Sequence, residues 1–240
     1  PMRLDRLLSQ AAGLTRNEAR KLIRSGLVSV HGALATDPAA QAEEGDALAL
    51  DGEPLQSRLE VHLMMHKPTG LLTAARDSRQ PTVMSLLPER LQKLRCMPVG
   101  RLDKDTSGLL LFTTDGELAH RLLSPRREIP KEYLALVSGK LTGNDQAAFA
   151  GGIALKDFTA KPAGLVILRQ GEKDSQALVR LSEGKHRQVR RMFQALGHEV
   201  LSLSRLAFGP LRLAEDLTPG AWRMLTDAEV AGLKEAVRLG

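Results

Sequence analysis

The stretch Val99–Glu117 reads V-G-R-L-D-K-D-T-S-G-L-L-L-F-T-T-D-G-E, and it constrains the fold more than any other part of the chain. A charged turn over residues 100–108 runs into the apolar run Leu109–Phe112, which has the character of a buried strand. Thr114-Asp-Gly-Glu117 then matches a capping box opening a short helix that Pro125 must end. Arg101, Asp103 and Asp105 thus sit in a tight turn against a packed element, which can hold them rigidly for chemistry. Taken alone, the two aspartates are equally acceptable as solvated turn residues.

The 240 residues suffice for one sizeable core plus a small second domain. Hydrophobic content of 42% and charged content of 26% describe an ordinary folded protein. No apolar run is long enough to span a bilayer and the N-terminus has no apolar signal region, so no membrane association is expected. Pro1 precedes Met2 and reads as an added residue. Cys96 is the single cysteine, which excludes a disulfide framework and a cysteine-based metal site and fits a reducing cytoplasm. The net charge of +6 points to an acidic partner, nucleic acid first. Residues 1–26 carry six basic and two acidic side chains, residues 27–60 one basic and seven acidic, so the positive surplus lies at the N-terminal edge and in the large C-terminal part.

Met2–Gln10 places leucines at 4, 7 and 8 on a helical stripe, with Arg3 and Arg6 off it, and Gly13 breaks the pattern. Thr15-Arg-Asn-Glu18 is a second capping box, opening a helix that Gly26 closes at C′. On this helix Arg16, Arg20 and Arg24 share one face, with Lys21 beside them. Arginines stacked in this way repel one another, a cost tolerable mainly if phosphates neutralise them. Val28–Val30 reads as a strand into the His31-Gly32 turn, and Asp46–Leu50 as another ending at Asp51-Gly52. Residues 53–60, polar with a proline, read as a linker.

Val61–Met65 is an apolar strand ending in His66-Lys67-Pro-Thr-Gly70. No G-x-x-x-x-G-K-[ST] or G-x-G-x-x-G phosphate cradle occurs, and no His, Asp or Glu set has metal spacing. Segment 73–98, rich in Arg, Ser and Pro, is expected to lie over the site as loop and short helix. Tyr133, the only tyrosine, heads an alternating strand through Val137. A strand over Ala177–Leu181 ends at Gly184, and a helix then runs to Gly197. On that helix Val189, Phe193 and Leu196 face inward, Arg190 lies at the edge of that face, and Arg187 and Arg191 point outward. Leu203–Leu206 and Leu211–Leu213 supply further strands, and a capped terminal helix begins at Thr226.

Together these segments resemble the RsuA branch of the pseudouridine synthases. The carriers are G-R-L-D-K-D-T-S-G-L-L at 100–110, H-K-P-T-G at 66–70, K-E-Y-L at 131–134, E-G-K-H-R-Q-V-R-R-M-F at 183–193 and P-G-A-W-R-M-L-T at 219–226. The basic helices and small strands of residues 2–50 resemble the S4 RNA-binding module. The resemblance implies an α+β chain: a small α/β S4 domain over 1–57, then a mixed, mainly antiparallel sheet domain over 58–240.

It further implies conversion of uridine to pseudouridine by base flipping, without metal or cofactor. Asp103 becomes the catalytic carboxylate, either a nucleophile on C1′ or a base for the 2′ proton. Tyr133 stacks on the uracil, and Arg190 pairs with Asp103 and keeps it ionised. Arg101 fills the gap left by the flipped nucleotide or grips its phosphate. Arg3, Arg6, Arg16, Arg20, Lys21 and Arg24 are expected on RNA, as are Lys67, Lys185, Arg187 and Arg191. The expected partner of a monomeric enzyme is 16S ribosomal RNA. A 23S RNA substrate is the alternative, and a non-catalytic RNA-binding or ribosome-assembly protein is the reading from another class.

Overall fold

The leucine stripe at the N-terminus folds as the helix Leu4–Ala12, burying Leu4, Leu7, Leu8 and Ala11, and Gly13 ends it in the left-handed conformation at φ 69°. The next helix, Arg16–Arg24, opens on the capping box: Glu18 N donates to Thr15 Oγ1 at 3.2 Å, and Thr15 N donates to Glu18 Oε2 at 2.8 Å. Ala19 and Ile23 close onto the first helix, and the small strands Val28–Val30 and Leu48–Leu50 complete this core.

The structure is a computed structural model and describes residues 1–239. It divides into two units, the first made of residues 1–61 with 87–97, the second of residues 62–86 with the chain from 98 onward. This differs from the expected division after residue 57 in two places. Glu53–Leu55 is a strand, not a linker, and pairs antiparallel with Leu48–Leu50. Asp51 and Gly52 both have positive φ, 51° and 80°, the geometry of a two-residue hairpin turn. Residues 87–97 also leave the second unit for the first. Their helix Glu89–Lys93 buries Leu91, and Arg90 donates to the carbonyls of Ala11 and Gln56 at 2.7 and 2.9 Å.

The second unit is built on one sheet whose main path runs Gly164–Gln170, Asp174–Leu181, Lys131–Ser138, Val200–Phe208, Ser107–Thr113, His62–Lys67 and Trp222–Met224. Neighbours along this path are antiparallel except Val200–Phe208 with Ser107–Thr113, which run parallel, so the sheet is mixed and mainly antiparallel as expected. The parallel pair is close because Gly108 faces Arg205. A Cβ at residue 108 would collide with the backbone oxygen and nitrogen of Arg205, and φ there is +109°. On one part of the sheet the helices Gly143–Gly151 and Gln188–Ala195 pack Phe149 against Phe193, ring centroids 4.9 Å apart. Elsewhere Leu109, Leu111, Leu118, Leu122 and Phe208 form a separate cluster with Leu233 and Val237 of the C-terminal segment.

The Leu109–Phe112 run is a strand buried along its length, within Ser107–Thr113. The helix after it does not use the expected capping box. Its N-cap is Asp115, whose Oδ1 accepts from Glu117 N and Leu118 N at 3.1 and 3.0 Å. A carboxylate one residue further along reaches two orphan N–H groups, so Glu117 is left to pair with Arg121 at 2.7 Å. The helix stops at Leu123, ahead of Pro125.

Candidate active site

Asp103 lies in the turn leading into the central strand, and three features of the chain pin that turn from beneath. Thr106 N donates to Asp103 O at 3.0 Å, closing it. Thr73 Oγ1 donates to Leu102 O at 2.9 Å and accepts from Leu102 N at 3.2 Å. Lys67, at the end of the His62–Lys67 strand, sends its Nζ under the loop to Asp103 O at 3.1 Å, Thr106 O at 2.8 Å, Lys104 O at 3.5 Å and Pro68 O at 2.9 Å. The expected RNA contact at Lys67 is therefore corrected. Its side chain is fully buried, because the loop folds over the ammonium and satisfies it with backbone carbonyls. Burial lowers its pKa to about 8, opposed by the charges of Asp105 and Asp103.

The Asp103 carboxylate is 30% exposed and lines a cavity of about 720 Å³. Tyr133 lines the same cavity from the Lys131–Ser138 strand, and Arg205 from the adjacent strand is its directly opposed partner. One extra residue, Leu206, is inserted between the pairs Glu132–Ala207 and Tyr133–Arg205, a β-bulge. Alternation would have carried Leu203 and Arg205 on to Ala207. The bulge instead turns Phe208 to the cavity, and Leu203, Arg205 and Phe208 all line it.

The arginines of the third motif distribute differently from the helical-wheel expectation. Arg187 is not on the helix but caps it, with φ 51°. It points not outward but to the loop, donating through Nη1 and Nη2 to both carboxylate oxygens of Asp105 at 3.0 Å. Its Nη1 is also 3.6 Å from Asp103 Oδ2. Arg190 does not form the expected pair with Asp103. Its Nη2 donates to Asp105 O at 2.8 Å and Thr106 Oγ1 at 3.2 Å, and lies 3.5 Å from Asp105 Oδ1. The cation that meets Asp103 is thus Arg187, while Arg190 braces the loop. Asp105, expected to be only a turn residue, links both arginines to the loop, and the Arg187 guanidinium holds its carboxyl below the usual range.

Arg101 is exposed at the cavity mouth. Arg191 pairs with Asp157 and stacks 5.3 Å from the centre of the Phe158 ring, over which Lys185 also lies at 5.8 Å. In the first unit the basic face holds an unexpected centre. Asp5, fully buried, accepts from Arg3 at 2.9 Å, Arg16 at 2.7 Å and Arg20 at 3.0 Å. The Arg3 guanidinium, helped by Arg20 and Arg16, holds this carboxyl far below the carboxylate range. These three side chains remain 47%, 44% and 38% exposed. Of the set Arg16, Arg20 and Arg24 expected to repel one another, Arg16 and Arg20 are relieved in part by this internal carboxylate. Arg6, Lys21 and Arg24 are exposed. Among the described residues no group of three His, Cys, Asp or Glu is placed to hold a metal ion, and no helix is long and apolar enough to cross a membrane.

Two family profiles match the chain, one described as RNA pseudouridylate synthase over residues 61–195 and one as S4 domain over residues 2–48. The small-subunit pseudouridine synthase A of Salmonella typhimurium is 37% identical over 97% of this chain and 100% of its own length. The large-subunit pseudouridine synthase B of Bacillus subtilis is 36% identical over 97% of this chain and 95% of its own. A crystal structure of a pseudouridylate synthase, 34% identical, superposes with a TM-score of 0.68 over 97% of this chain and 100% of that one. With the S4 profile over its first helices and strands, and the synthase profile spanning Asp103, Tyr133 and Arg190, this chain belongs to the RNA pseudouridylate synthase family.

Proposed function

We propose that the protein isomerises one uridine of 16S ribosomal RNA to pseudouridine. The observation that carries this reading is the convergence of Asp103, Tyr133 and Arg187 on one cavity beside a braced loop. Asp103 acts at the ribose of a flipped-out uridine, as a nucleophile on C1′ or as a base for the 2′ proton, and both roles need the ionised carboxylate. Arg187 Nη1 lies 3.6 Å from Asp103 Oδ2, and Arg190 keeps the loop from moving as the substrate enters. Tyr133 stacks on the uracil while it is detached, and Arg101 at the mouth takes the place of the extruded nucleotide or its phosphate. In the first unit Arg6, Arg16, Arg20, Lys21 and Arg24 supply the basic face expected to track the RNA backbone.

The small-subunit relative at 37% identity supports the 16S assignment, and the large-subunit relative at 36% supports a 23S substrate as the second reading. Mapping pseudouridine in both ribosomal RNAs, with and without an active copy of the protein, separates them. We expect one 16S site to disappear and to return with the wild type but not with Asp103→Asn, whose turnover should fall at least about a thousandfold. A site lost from 23S RNA would move the substrate, and full activity in Asp103→Asn would remove Asp103 from the chemistry.

A further inference from the structure

Breaking the glycosidic bond creates a charge that the residues so far assigned do not compensate. Whether Asp103 attacks C1′ or removes the 2′ proton, the C1′–N1 electron pair stays with N1, and the detached uracil is an anion with its charge spread over O2 and O4. The pair is used again when C5 bonds to C1′, and the C5 proton then leaves to water while N1 gains one. Between those steps an anion must stay in the cavity and turn beside the carboxyl group of Asp103. The nearest arginines are committed: Arg187 to Asp105 and Arg190 to Asp105 O and Thr106.

Arg205 is not. It is 3% exposed, lines the cavity with Asp103 and Tyr133, and among the described residues has no carboxylate within ion-pair distance. Its Nε donates to Leu109 O at 2.9 Å, but Nη2 is buried without any hydrogen-bond acceptor. The guanidinium stacks 5.0 Å from the centre of the Phe208 ring, and Lys131 Nζ lies 5.6 Å from the same centre. The bulge at Leu206 is what brings the Phe208 ring to the cavity wall, beside these two cations. A buried arginine with an unused donor is unfavourable in the free protein unless a ligand completes it. A planar donor fork matches a carbonyl oxygen of a planar anion.

We propose that Arg205 binds the detached uracil, donating from its guanidinium to a uracil carbonyl oxygen and stabilising the negative charge that forms as C1′–N1 breaks, with Lys131 as the second cation on the same wall. This rests on the family's reaction taking place in this cavity. The adjacent Tyr133 holds the ring in plane while Arg205 holds its edge, which lets the base turn without leaving.

The test uses the full-length protein and a short RNA around the mapped uridine, made with uridine or with 5-fluorouridine at that position. Fluorine withdraws electrons and stabilises the uracil anion by itself, so bond cleavage depends less on an external cation. Single-turnover loss of the parent nucleoside is followed for the wild type, Arg205→Met and Arg205→Lys. The expected result is a loss of about a hundredfold for Arg205→Met on the uridine RNA, a several-fold smaller loss on the fluorinated RNA, and a rate for Arg205→Lys between Met and wild type. Equal losses on both RNAs, or Lys no better than Met, would overturn the role of Arg205 and leave the family's reaction standing. If Arg205→Met does not fold, the comparison of the two RNAs is made with Arg205→Lys alone, with the same two outcomes. A wild type silent on the uridine RNA would overturn the proposed function and this inference together.

Discussion

Among the described residues, each unit of the protein has one charged side chain with no exposed surface at all, Asp5 in the first and Lys67 in the second, and the two are compensated in opposite ways. Asp5 in the first unit accepts from three guanidiniums that keep 38% to 47% of their side-chain surface in solvent. Lys67 in the second meets no carboxylate at hydrogen-bond distance among the described residues and is satisfied by four backbone carbonyls. Salt bridges to long, half-exposed side chains gather charge into a surface without immobilising the backbone. An ammonium bonded to carbonyls fixes the path of the chain itself, because each carbonyl belongs to a loop residue. The acid in the first unit therefore shapes a charged face, and the base in the second shapes a loop that has to hold Asp103 in place.

The sharpest way to break this comparison is Lys67→Met. It removes the Lys67 donor from the carbonyls of Asp103, Lys104 and Thr106, leaving, among the described residues, only Thr106 N at 3.0 Å for Asp103 O and only Gly70 N at 2.8 Å for Lys104 O. This costs about 3 kcal/mol and displaces Asp103 enough to lower kcat about a hundredfold. RNA affinity should stay within about twofold, since Lys67 is covered. Chemical denaturation, single-turnover kinetics and filter binding read the three quantities. A stability loss with unchanged kcat would mean that Thr73 and Gly70 hold the loop without help.

The opposite pattern is expected for Asp5→Asn. Stability should fall by about 2 kcal/mol as three guanidiniums lose the negative charge and one of its two acceptor oxygens, and the RNA dissociation constant should rise about tenfold as the basic face loosens. Turnover at saturating RNA should not change. A fall in kcat instead would show that the two units do not divide binding and chemistry in this way.

The smallest effect is in the pH dependence, and its window separates the two groups. Burial lowers the Lys67 pKa from 10.5 to about 8, so between these values the unfolded chain binds more protons than the folded one. The contribution of Lys67 to stability therefore rises with pH across that window and is least favourable below it. The clamp meanwhile loses one donor, so kcat should decline by about threefold as pH passes 8. Asp5, held below its ordinary 3.8, contributes stability that is present above that value and is lost only as pH falls below it. A kcat profile flat to pH 10 would show that the neutral amine holds the loop equally well.

Much of this architecture was legible because its causes are local. The Thr15–Glu18 and Thr226–Glu229 capping boxes close over three residues, and both form as the sequence implies. The Leu109–Phe112 run could only be an interior strand, and it lies inside the second unit's sheet between Val200–Phe208 and His62–Lys67. Asp51-Gly52 carried a hairpin signal as plain as the caps, and the strand Glu53–Leu55 follows from it. The reading of 53–60 as a linker gave more weight to Pro54 and to polarity than to that turn. The three segments bearing Asp103, Tyr133 and Arg190 were recognisable as motifs, and their side chains do meet at one cavity.

Identity and order of the elements, and the residue types available for chemistry, were determined by the amino-acid sequence, since hydrogen bonds over three or four residues and apolar periodicity decide them. Which arginine faces which aspartate was decided only in the tertiary structure. Arg187 and Arg190 reach a loop 82 and 85 residues away in the chain, and a single left-handed residue at the helix start exchanged their roles. The same holds for Lys67, Asp5 and Arg205. A charged residue reads the same in sequence whether solvent, a carboxylate or a carbonyl completes it, and only the packing of distant segments sets which of these it meets.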